Sequence, residues 1–577
     1  MLTALLRTYH TVKYLRPCQI VGQIRVRLRT QFEDPARLLS KSVPECQGCR
    51  WPQDVAFLPP GTQGNADTDI LDGRLTFLNR TEEVGWMPNW QAGSLPKLWL
   101  YNLHYFEWLW ALRYADAKAV VLDWITHHRP GRGQPGWEPY PLSLRAMNLC
   151  GVFFARYRSQ VDADDPFRKQ LWQSLYQQCE WLKGHLETHL LGNHYFENAA
   201  ALAFVGSCFH GDAAQRWLEK GLQILRVEIP EQILPDGMHF ELSPMYHSRV
   251  LYVMAILRAT GNDSLAGLVG DPLKRMAEAL QVLCHPDGQI ALLNDSALGV
   301  YNAPAQLLDY CRRVEASVQT RPVVRAFSLP DAGYYGWRDP QGDYLVCDFG
   351  RIGPDYIPGH AHADLLSYEL SLHGYRVIVD AGVHDYEVSE LRRYARSTAA
   401  HNTVEINELD QCELWGAFRV ARRGYPADVR VSASDSAFEI SGSHNGYERL
   451  KGRPKHTRSI RWDVQTTSLA VHDQVRSRRP VRSVSRIHLH PDCVIKQQTG
   501  AGYEIEYPGG TFQIQIQGAG TISAGTGWYC PAFGAKIQNR VIGISAEGLH
   551  CEMRYAVRPV PESRRAACDT RAASHIR

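Results

Sequence analysis

Three short segments carry side chains whose types and spacing suit proton transfer on an anionic substrate. The first, NHYFENAAALAFVG, places Asn193, His194 and Glu197 at the opening of an apolar helical run. Spacings of three and four put Glu197 on the face shared by His194 and Asn193. Polar residues at a helix start also serve as plain caps, a reading that stands for Asn193 taken alone. As a trio they do more: an amide and an imidazole donate hydrogen bonds to a carboxylate, while Glu197 can fix the imidazole tautomer.

The second segment, PDGMHFELSPMYHSRV, brings Glu241, Ser243, Pro244, Tyr246 and His247 to the start of another helical run. A tyrosine there fills a gap between helices or, beside the first cluster, exchanges protons as an acid/base. The third is GHAHADLLSYELSLHGYRVIVDAG followed by RRYARSTAAHNTV. His360 and His362 are two apart and project to one side of an extended chain. Asp380 closes the second strand of a hairpin and His401 opens the next strand. Two histidines and a carboxylate make a zinc shell, with water or a further ligand completing it. A lone HxH is a weak signal; HxHxD with a later strand-terminal Asp and another His is a stronger one.

Holding these segments together requires two kinds of element. From about residue 95 to about 318 apolar and aromatic residues return every three or four positions, as in FEWLWALRYADAKAVVLDWI and FRKQLWQSLYQQCEWLKGHLETHL, which predicts helices. Short Gly-, Pro- and Asp-bearing loops between them predict antiparallel hairpins in an α/α arrangement. Most of the many aromatics here fill the core, and the rest suit stacking against sugar faces. After about residue 321, segments such as YLVCDFG, NTVEINE, SIRWDV and FQIQIQG alternate apolar and polar side chains between turns, predicting an antiparallel β domain of stacked sheets. The boundaries read as an N-terminal extension over 1–94, a helical domain over 95–325, a β-sandwich over 326–562 and a loose tail over 563–577.

A chain of 577 residues is long enough for two large domains. With 63 basic and 60 acidic residues, a net charge of +3, no global field points to nucleic acid, so attraction for an anion must be local. The 14 cysteines are scattered, which favours reduced thiols over a disulfide framework; Cys46 and Cys49 form one CxxC with no second pair to complete a zinc knuckle. No stretch approaches the roughly 20 apolar residues of a membrane-spanning helix. The basic first 29 residues lack the apolar core of a signal peptide, so the expectation is a cytoplasmic protein, with the periplasm as the alternative. A basic amphipathic start can also rest on a membrane surface, though a solvated helix is commoner.

GHAHAD, VDAG and STAAHNTV, joined to NHYFENA and SPMYH, resemble the heparinase II/III family of polysaccharide lyases across roughly residues 95 to 560. WLYNLHYFEWL, GWEPYPLSLRAMN and GWYCPAFGAK have the same look. The resemblance implies an α+β multidomain fold, an incomplete (α/α) toroid followed by an antiparallel β-sandwich, and cleavage of an acidic polysaccharide by β-elimination. It assigns Asn193 and His194 to the uronate carboxylate, Tyr246 and His360 to acid/base roles, and His362, Asp380 and His401 to a metal. Glu197 falls beside the carboxylate-binding group, and Arg145, Arg249, Arg393, Tyr394 and Arg396 lie near segments that contact substrate.

Such chemistry removes the C5 proton of a uronic acid and expels the oxygen on C4; donors on the carboxylate stabilise the enolate-like intermediate, and one of Tyr246 and His360 must protonate the leaving oxygen. The expected Zn2+ is mainly structural, orienting His360, with direct Lewis-acid action as the alternative. The near-neutral chain favours an unsulfated bacterial polysaccharide as substrate. Two rivals remain: a glycoside hydrolase built on Glu197 and Glu241, and a catalytically silent carbohydrate-binding protein that keeps the fold.

Overall fold

The computed structural model describes residues 2–32, 42–49, 57–61, 64–131, 133–319, 325–518 and 520–560. The loose tail expected over 563–577 lies outside the described residues, as does the domain junction at 320–324. The N-terminal extension contains α1 (Leu2–Val12), α2 (Pro17–Phe32), α3 (Asp67–Leu71) and a small hairpin of Arg74–Phe77 with Arg80–Glu83.

The helical half runs through α4 (Lys97–Tyr105), α5 (Tyr114–His127), α6 (Pro139–Leu149), α7 (Arg158–Ala163), α8 (Asp165–Gly184), α9 (Gly192–Cys208), α10 (Asp212–Gln232), α11 (Pro244–Ala259), α12 (Asp263–Val282) and α13 (Pro304–Val314). The helix α9 is buried on nearly every side, packing on α10, α6 and α11. Its run of small residues has a reason: a Cβ on Gly206 would lie 2.4 Å from Leu218 N, and one on Gly221 of α10 would lie 2.6 Å from Ala203. Only glycine lets two helices press together that closely. Trp99, Trp108, Trp124 and Trp217 lie deep in this core, whereas Tyr101, Trp137, Tyr140 and Trp181 face the cleft.

The β half has a five-stranded antiparallel meander, running from Arg325–Leu329 to Tyr375–Ile378, and a ten-stranded antiparallel sheet built from residues 404–559. Trp337, Tyr368 and Leu370 of the meander share one core with Phe438, Ile460, Trp462 and Val471 of the larger sheet, so the two pack as a sandwich. The meander's other face, with Phe327, Tyr334, Tyr344 and Val346, packs on Met238, Leu242, Ala279 and Leu293 of the helical half. Strands Tyr344–Asp348 and Ser367–Leu372 are therefore buried at every position; the first is a nearly continuous apolar run, while in the second Glu369 and Ser371 are satisfied by His285 of the helical half. Tyr334 Oη donates to Leu242 O at 2.6 Å and Tyr344 Oη to Val282 O at 2.7 Å, pinning the sandwich to the helices. No described helix is long and apolar enough to cross a membrane.

Candidate active site

A cleft of about 1570 Å³ opens along the junction of the two halves, and Asn193, His194, Tyr246 and His360 all line it. Asn193 is the second residue of α9. The chain turns into this helix through Leu191 and Gly192, both at positive φ (64° and 56°). A Cβ on Gly192 would lie 2.4 Å from Glu241 Oε1. The missing side chain thus lets the Glu241 carboxylate reach the helix start, where it accepts from Asn193 N at 2.7 Å and from Asn193 Nδ2 at 2.9 Å. A carboxylate at a helix N-terminus is favoured by the unpaired amides there.

The His194 ring packs tilted against Tyr140, ring centroids 4.4 Å apart and planes 38° from parallel, and its Nδ1 donates to Glu187 Oε1 at 3.1 Å. Burial works against its charged form, but Glu187, Glu241 and Glu197 outweigh it and raise its pKa. The surroundings thus favour the protonated form of this imidazole. Tyr246 begins α11; its amide donates to Ser243 Oγ at 3.2 Å, and Ser243 Oγ donates to Asp295 O at 2.6 Å. Its ring stacks on His360 with centroids 3.8 Å apart, and its hydroxyl lies 3.2 Å from that of Tyr386. Burial, reinforced by the neighbouring phenols Tyr386, Tyr301 and Tyr140, pushes the Tyr246 hydroxyl well above the ordinary phenol pKa, so it holds its proton.

His360 is the hub. Its Nδ1 donates to Asp295 Oδ2 at 2.9 Å, while its Nε2 lies 3.2 Å from Glu241 Oε2 and 3.5 Å from Asn193 Nδ2. Arg392, in the first turn of α14 (Glu390–Arg396), grips both oxygens of Asp295, with Nη2 2.8 Å from Oδ2. Burial opposes ionisation of Asp295, but Arg392, His360 and His362 hold its carboxyl well below the usual range. Its other oxygen accepts from His362 Nε2 at 2.9 Å.

Behind His360 lies a donor set that fits a metal. Ligand atoms of His362, Asp364 and His401 lie within 4.8 Å of one another, all buried. His362 Nδ1, His401 Nε2 and both Asp364 oxygens lack hydrogen-bond partners. Burial keeps the His362 imidazole neutral, its pKa down to about 3, and pushes Asp364 up to about 6. A neutral His362 imidazole, the unpaired Nε2 of His401 and an unpaired carboxyl group in a dry site are what a divalent cation such as zinc would satisfy. The converging carboxylate differs from the sequence expectation: Asp380 stands behind His401, accepting from its Nδ1 at 2.7 Å, where it orients the ring. Asp364, the final letter of HAHAD, takes the inner place.

The other expected substrate contacts do not reach the cleft wall. Glu197 points inward, fully buried, and Arg249 clamps it with Nε 2.6 Å from Oε1. One face of a helix is about 100° wide, and packing on α11 turned Glu197 to the inner edge of the face that carries His194. A two-carboxylate hydrolase site on Glu197 and Glu241 is therefore not formed. Arg145 is buried, bonded to Gln178 Oε1 at 2.9 Å and His104 O at 3.3 Å, with its guanidinium 4.2 Å over Trp124. Arg396 is buried too and donates to Ala361 O at 3.1 Å and Gly416 O at 3.2 Å, steadying the loop between His360 and His362. Tyr394 Oη accepts from Trp528 N at 3.3 Å, and Arg393 is exposed away from the cleft.

Sequence reasoning missed Asp295, Arg392, Glu187 and the tyrosines 140, 301 and 386, and took Glu241 only as an acid for the rival hydrolase. Asp295 stands in NDSALG, whose composition reads as an ordinary turn. The paired Asp-His donors around HAHAD were the one available hint.

The comparisons agree with this geometry. Residues 107–313 match the model described as Heparinase II/III N-terminus, and residues 321–564 match Heparinase II/III-like, C-terminal. A heparin-sulfate lyase of Pedobacter heparinus is 27% identical over 315 residues, 49% of this chain and 47% of its own. A heparin-sulfate lyase of Bacteroides thetaiotaomicron is 26% identical over 305 residues, 45% of this chain and 42% of its own. The chain thus spans about half the length of the curated relatives it matches. The crystal structure of a heparinase III superposes with TM-score 0.71 at 17% identity, covering 91% of this chain and 88% of that one. A heparan sulfate lyase from Pedobacter heparinus gives 0.61 at 19%, covering 92% and 87%. These structures share the fold, a helical toroid followed by a β-sandwich. With its two domain models lying end to end over both halves of the cleft, the chain belongs to the heparinase II/III-like family.

Proposed function

We propose that the protein is a polysaccharide lyase that cleaves a uronic-acid-containing polysaccharide by β-elimination in this cleft. The observation that carries the reading is the contact of Tyr246 and His360, an aromatic pair from opposite halves, beside the Asn193 amide. A uronate carboxylate entering the cleft would take hydrogen bonds from Asn193 Nδ2 and from His194, displacing Glu241 from the former. Those donors stabilise the negative charge that develops when C5 loses its proton.

Asp295 accepts a hydrogen bond from the Nδ1–H of His360, which keeps that proton on Nδ1 and leaves Nε2 facing the cleft as the base. Nε2 accepts the C5 proton, and Glu241 beside it steadies the resulting imidazolium. The C5–H electrons form the C4=C5 double bond, the C4–O bond breaks, and the leaving oxygen takes the Tyr246 hydroxyl proton. A phenol held above its ordinary pKa keeps its proton until the leaving oxygen departs, so the proton is in place for that transfer. The bound uronate, the two proton carriers and the leaving oxygen need lie within one monosaccharide's span.

His362, Asp364 and His401 would hold Zn2+, with Asp380 orienting His401; the ion would supply a rigid brace for the loop that carries His360. The substrate we favour is an unsulfated acidic polysaccharide of bacterial origin, such as an exopolysaccharide. Supporting this, the wall around the four central residues adds the carboxylates Glu187 and Glu241 and the phenols of Tyr140, Tyr301 and Tyr386. The outer cleft carries Lys97, 2.9 Å from Glu138, and Arg423, 3.6 Å from Asp355, together with Arg25, Arg27, Lys183, Lys220 and Arg419, basic groups that a sulfated chain would also engage. The relatives named above are heparin-sulfate lyases, so the substrate test must include both kinds. Incubation with alginate, hyaluronan, heparan sulfate and bacterial exopolysaccharides should produce ultraviolet-absorbing unsaturated uronate, best on an unsulfated chain. Products with ordinary, non-absorbing ends would mean hydrolysis, and binding without turnover would mean a silent relative.

A further inference from the structure

The first two helices lie outside the segments that match the family models, 107–313 and 321–564, yet they build part of the cleft. Gln19, Gly22 and Arg29 of α2 share one helix face by spacing, and this face meets the body. Gln19 Nε2 donates to Tyr356 O at 3.1 Å, a Cβ on Gly22 would lie 2.9 Å from His189 N, and Arg29 donates to Gly184 O. His189 leads within four residues to Asn193, and Gly184 is the last residue of α8. The helix therefore starts beside the turn into Asn193 and runs along one edge of the cleft to the end of α8.

Further around α2, Ile20, Gln23, Ile24 and Arg27 recur at i, i+3, i+4 and i+7, the pattern of a single helix face, and all four line the cleft. Ile20 and Ile24 are 44% and 54% exposed, so this face offers apolar surface together with a guanidinium. Arg25 lines the cleft as well. Elsewhere on these helices Arg7 lies 3.3 Å from Glu413 and Arg16 is paired with Glu231, and residues 2–32 contain no Asp or Glu. Near the contact with Arg29, Trp181 of α8 lines the cleft with its ring stacked on His185, centroids 3.9 Å apart.

We propose that α2 and the end of α8 form a distal subsite for an acidic polysaccharide, where Arg25 and Arg27 bind anionic groups of sugars beyond the one that is cleaved. Ile20, Ile24 and Trp181 pack on the apolar faces of those sugars. At about 1.5 Å per residue Arg27 stands about 12 Å along the helix from Gln19, which is anchored next to the Asn193 turn, so its guanidinium addresses a sugar further along the polymer. Uronate carboxylates and sugar sulfates share the anionic, planar or forked acceptor chemistry that guanidinium groups take. This subsite rests on the lyase reading for the class of its ligand.

The test compares Arg25→Gln/Arg27→Gln with the native protein on alginate, which carries carboxylates alone, and on heparan sulfate, which adds sulfates, each as polymer and as trisaccharide. Calorimetry in the Tyr246→Phe background reads binding to intact polymer, and ultraviolet absorbance reads turnover in its absence. The double change should weaken polymer binding by about fivefold or more, with the loss in KM rather than kcat, a smaller dependence on salt and little effect on the trisaccharide. Ile20→Ser/Ile24→Ser should weaken polymer binding too and decides if the arginine variant fails to fold. Arg478→Gln/Arg479→Gln, exposed on the sandwich outside the cleft, removes the same charge and should change nothing. A loss on alginate assigns carboxylates to the subsite, and a loss on heparan sulfate alone assigns sulfates. Polymer affinity untouched by both α2 variants, an equal loss from the sandwich pair, or binding of neither polymer overturns the subsite. Binding that depends on α2 without any unsaturated uronate would instead sink the lyase reading and leave the subsite standing.

Discussion

The imidazole of His360 lies face to face with the phenol of Tyr246, their ring centroids 3.8 Å apart and their planes 26° from parallel. One ring comes from the loop that enters the sandwich and the other from the first turn of α11, so the contact exists only when both halves are assembled. An imidazole and a phenol at that separation can serve two atoms of one sugar ring, the carbon that gives up a proton and the oxygen that receives one. The predictions below follow from this contact and its supports.

Removing the hydroxyl with Tyr246→Phe should lower kcat by about 10²–10⁴-fold and leave KM nearly unchanged, because the ring and its stack on His360 remain. Asn193→Ala should cost about 10²–10³-fold, with the loss in kcat as the enolate donor disappears. Initial rates of unsaturated-uronate formation measure both. A Tyr246→Phe enzyme of near wild-type rate would remove the phenol from the mechanism.

Glu187→Gln should move the alkaline loss of substrate binding to lower pH. The His194 pKa is raised by Glu187, so the imidazole is charged below its folded pKa and loses affinity for a carboxylate as pH rises through it. Without the Glu187 charge that transition comes earlier. Profiles of KM against pH for the two proteins decide, and superimposable curves would mean that His194 does not meet the substrate as a cation.

The Glu197–Arg249 pair should prove structural. Glu197→Ala strands a buried guanidinium and should destabilise the fold by about 3–5 kcal/mol, whereas the double change Glu197→Gln/Arg249→Met should recover much of that. Thermal unfolding reads both, and KM of whatever enzyme stays folded should be unaltered. A selective rise in KM with unchanged stability would restore the pair to substrate binding.

Metal content separates the two carboxylates near His401. Asp364→Asn should abolish bound zinc, while Asp380→Asn should weaken it by about 10–100-fold through the reoriented His401. Elemental analysis after dialysis against a competing chelator measures each. The reverse ranking would make Asp380 the ligand and Asp364 its support.

Stability should fall as the solution is acidified below about pH 6.5, the ordinary histidine value. Burial holds His247 down to about 3 and His239 down to about 4, so both stay neutral in the fold while the unfolded chain takes up protons. Each contribution is full above the unfolded pKa and is lost as pH falls toward the folded one, at about 1.4 kcal/mol per pH unit and proton. His247 is locked neutral, Nε2 donating to Met276 O at 2.9 Å and Nδ1 accepting from His239 N at 3.2 Å. Melting temperatures from pH 8 to 5 should show a plateau and then a decline, shallower in His247→Asn. A flat curve to pH 5 would contradict neutral burial.

Local spacing in the sequence determined the helical half and the strand-rich half and marked the segments around Asn193, Tyr246 and His360, while the choice of the four central residues came from the family resemblance those segments carry. Helical and strand periodicities are set by which face of an element is buried, and HAHAD and NHYFE are each short enough for their geometry to be local. Tertiary structure alone decided the partners. Asp295 lies in an ordinary-looking turn, yet it joins His360, His362 and Arg392, a residue 97 positions away. Glu197 shares a helix face with His194 by spacing, but packing against α11 turned it into the core and gave it to Arg249. Arg145 and Arg396 read as substrate grips because arginine suits carboxylates; their burial made them struts. Whether a charged side chain meets a ligand or another side chain depends on what the fold places opposite it, and contacts between distant segments leave no trace in local spacing.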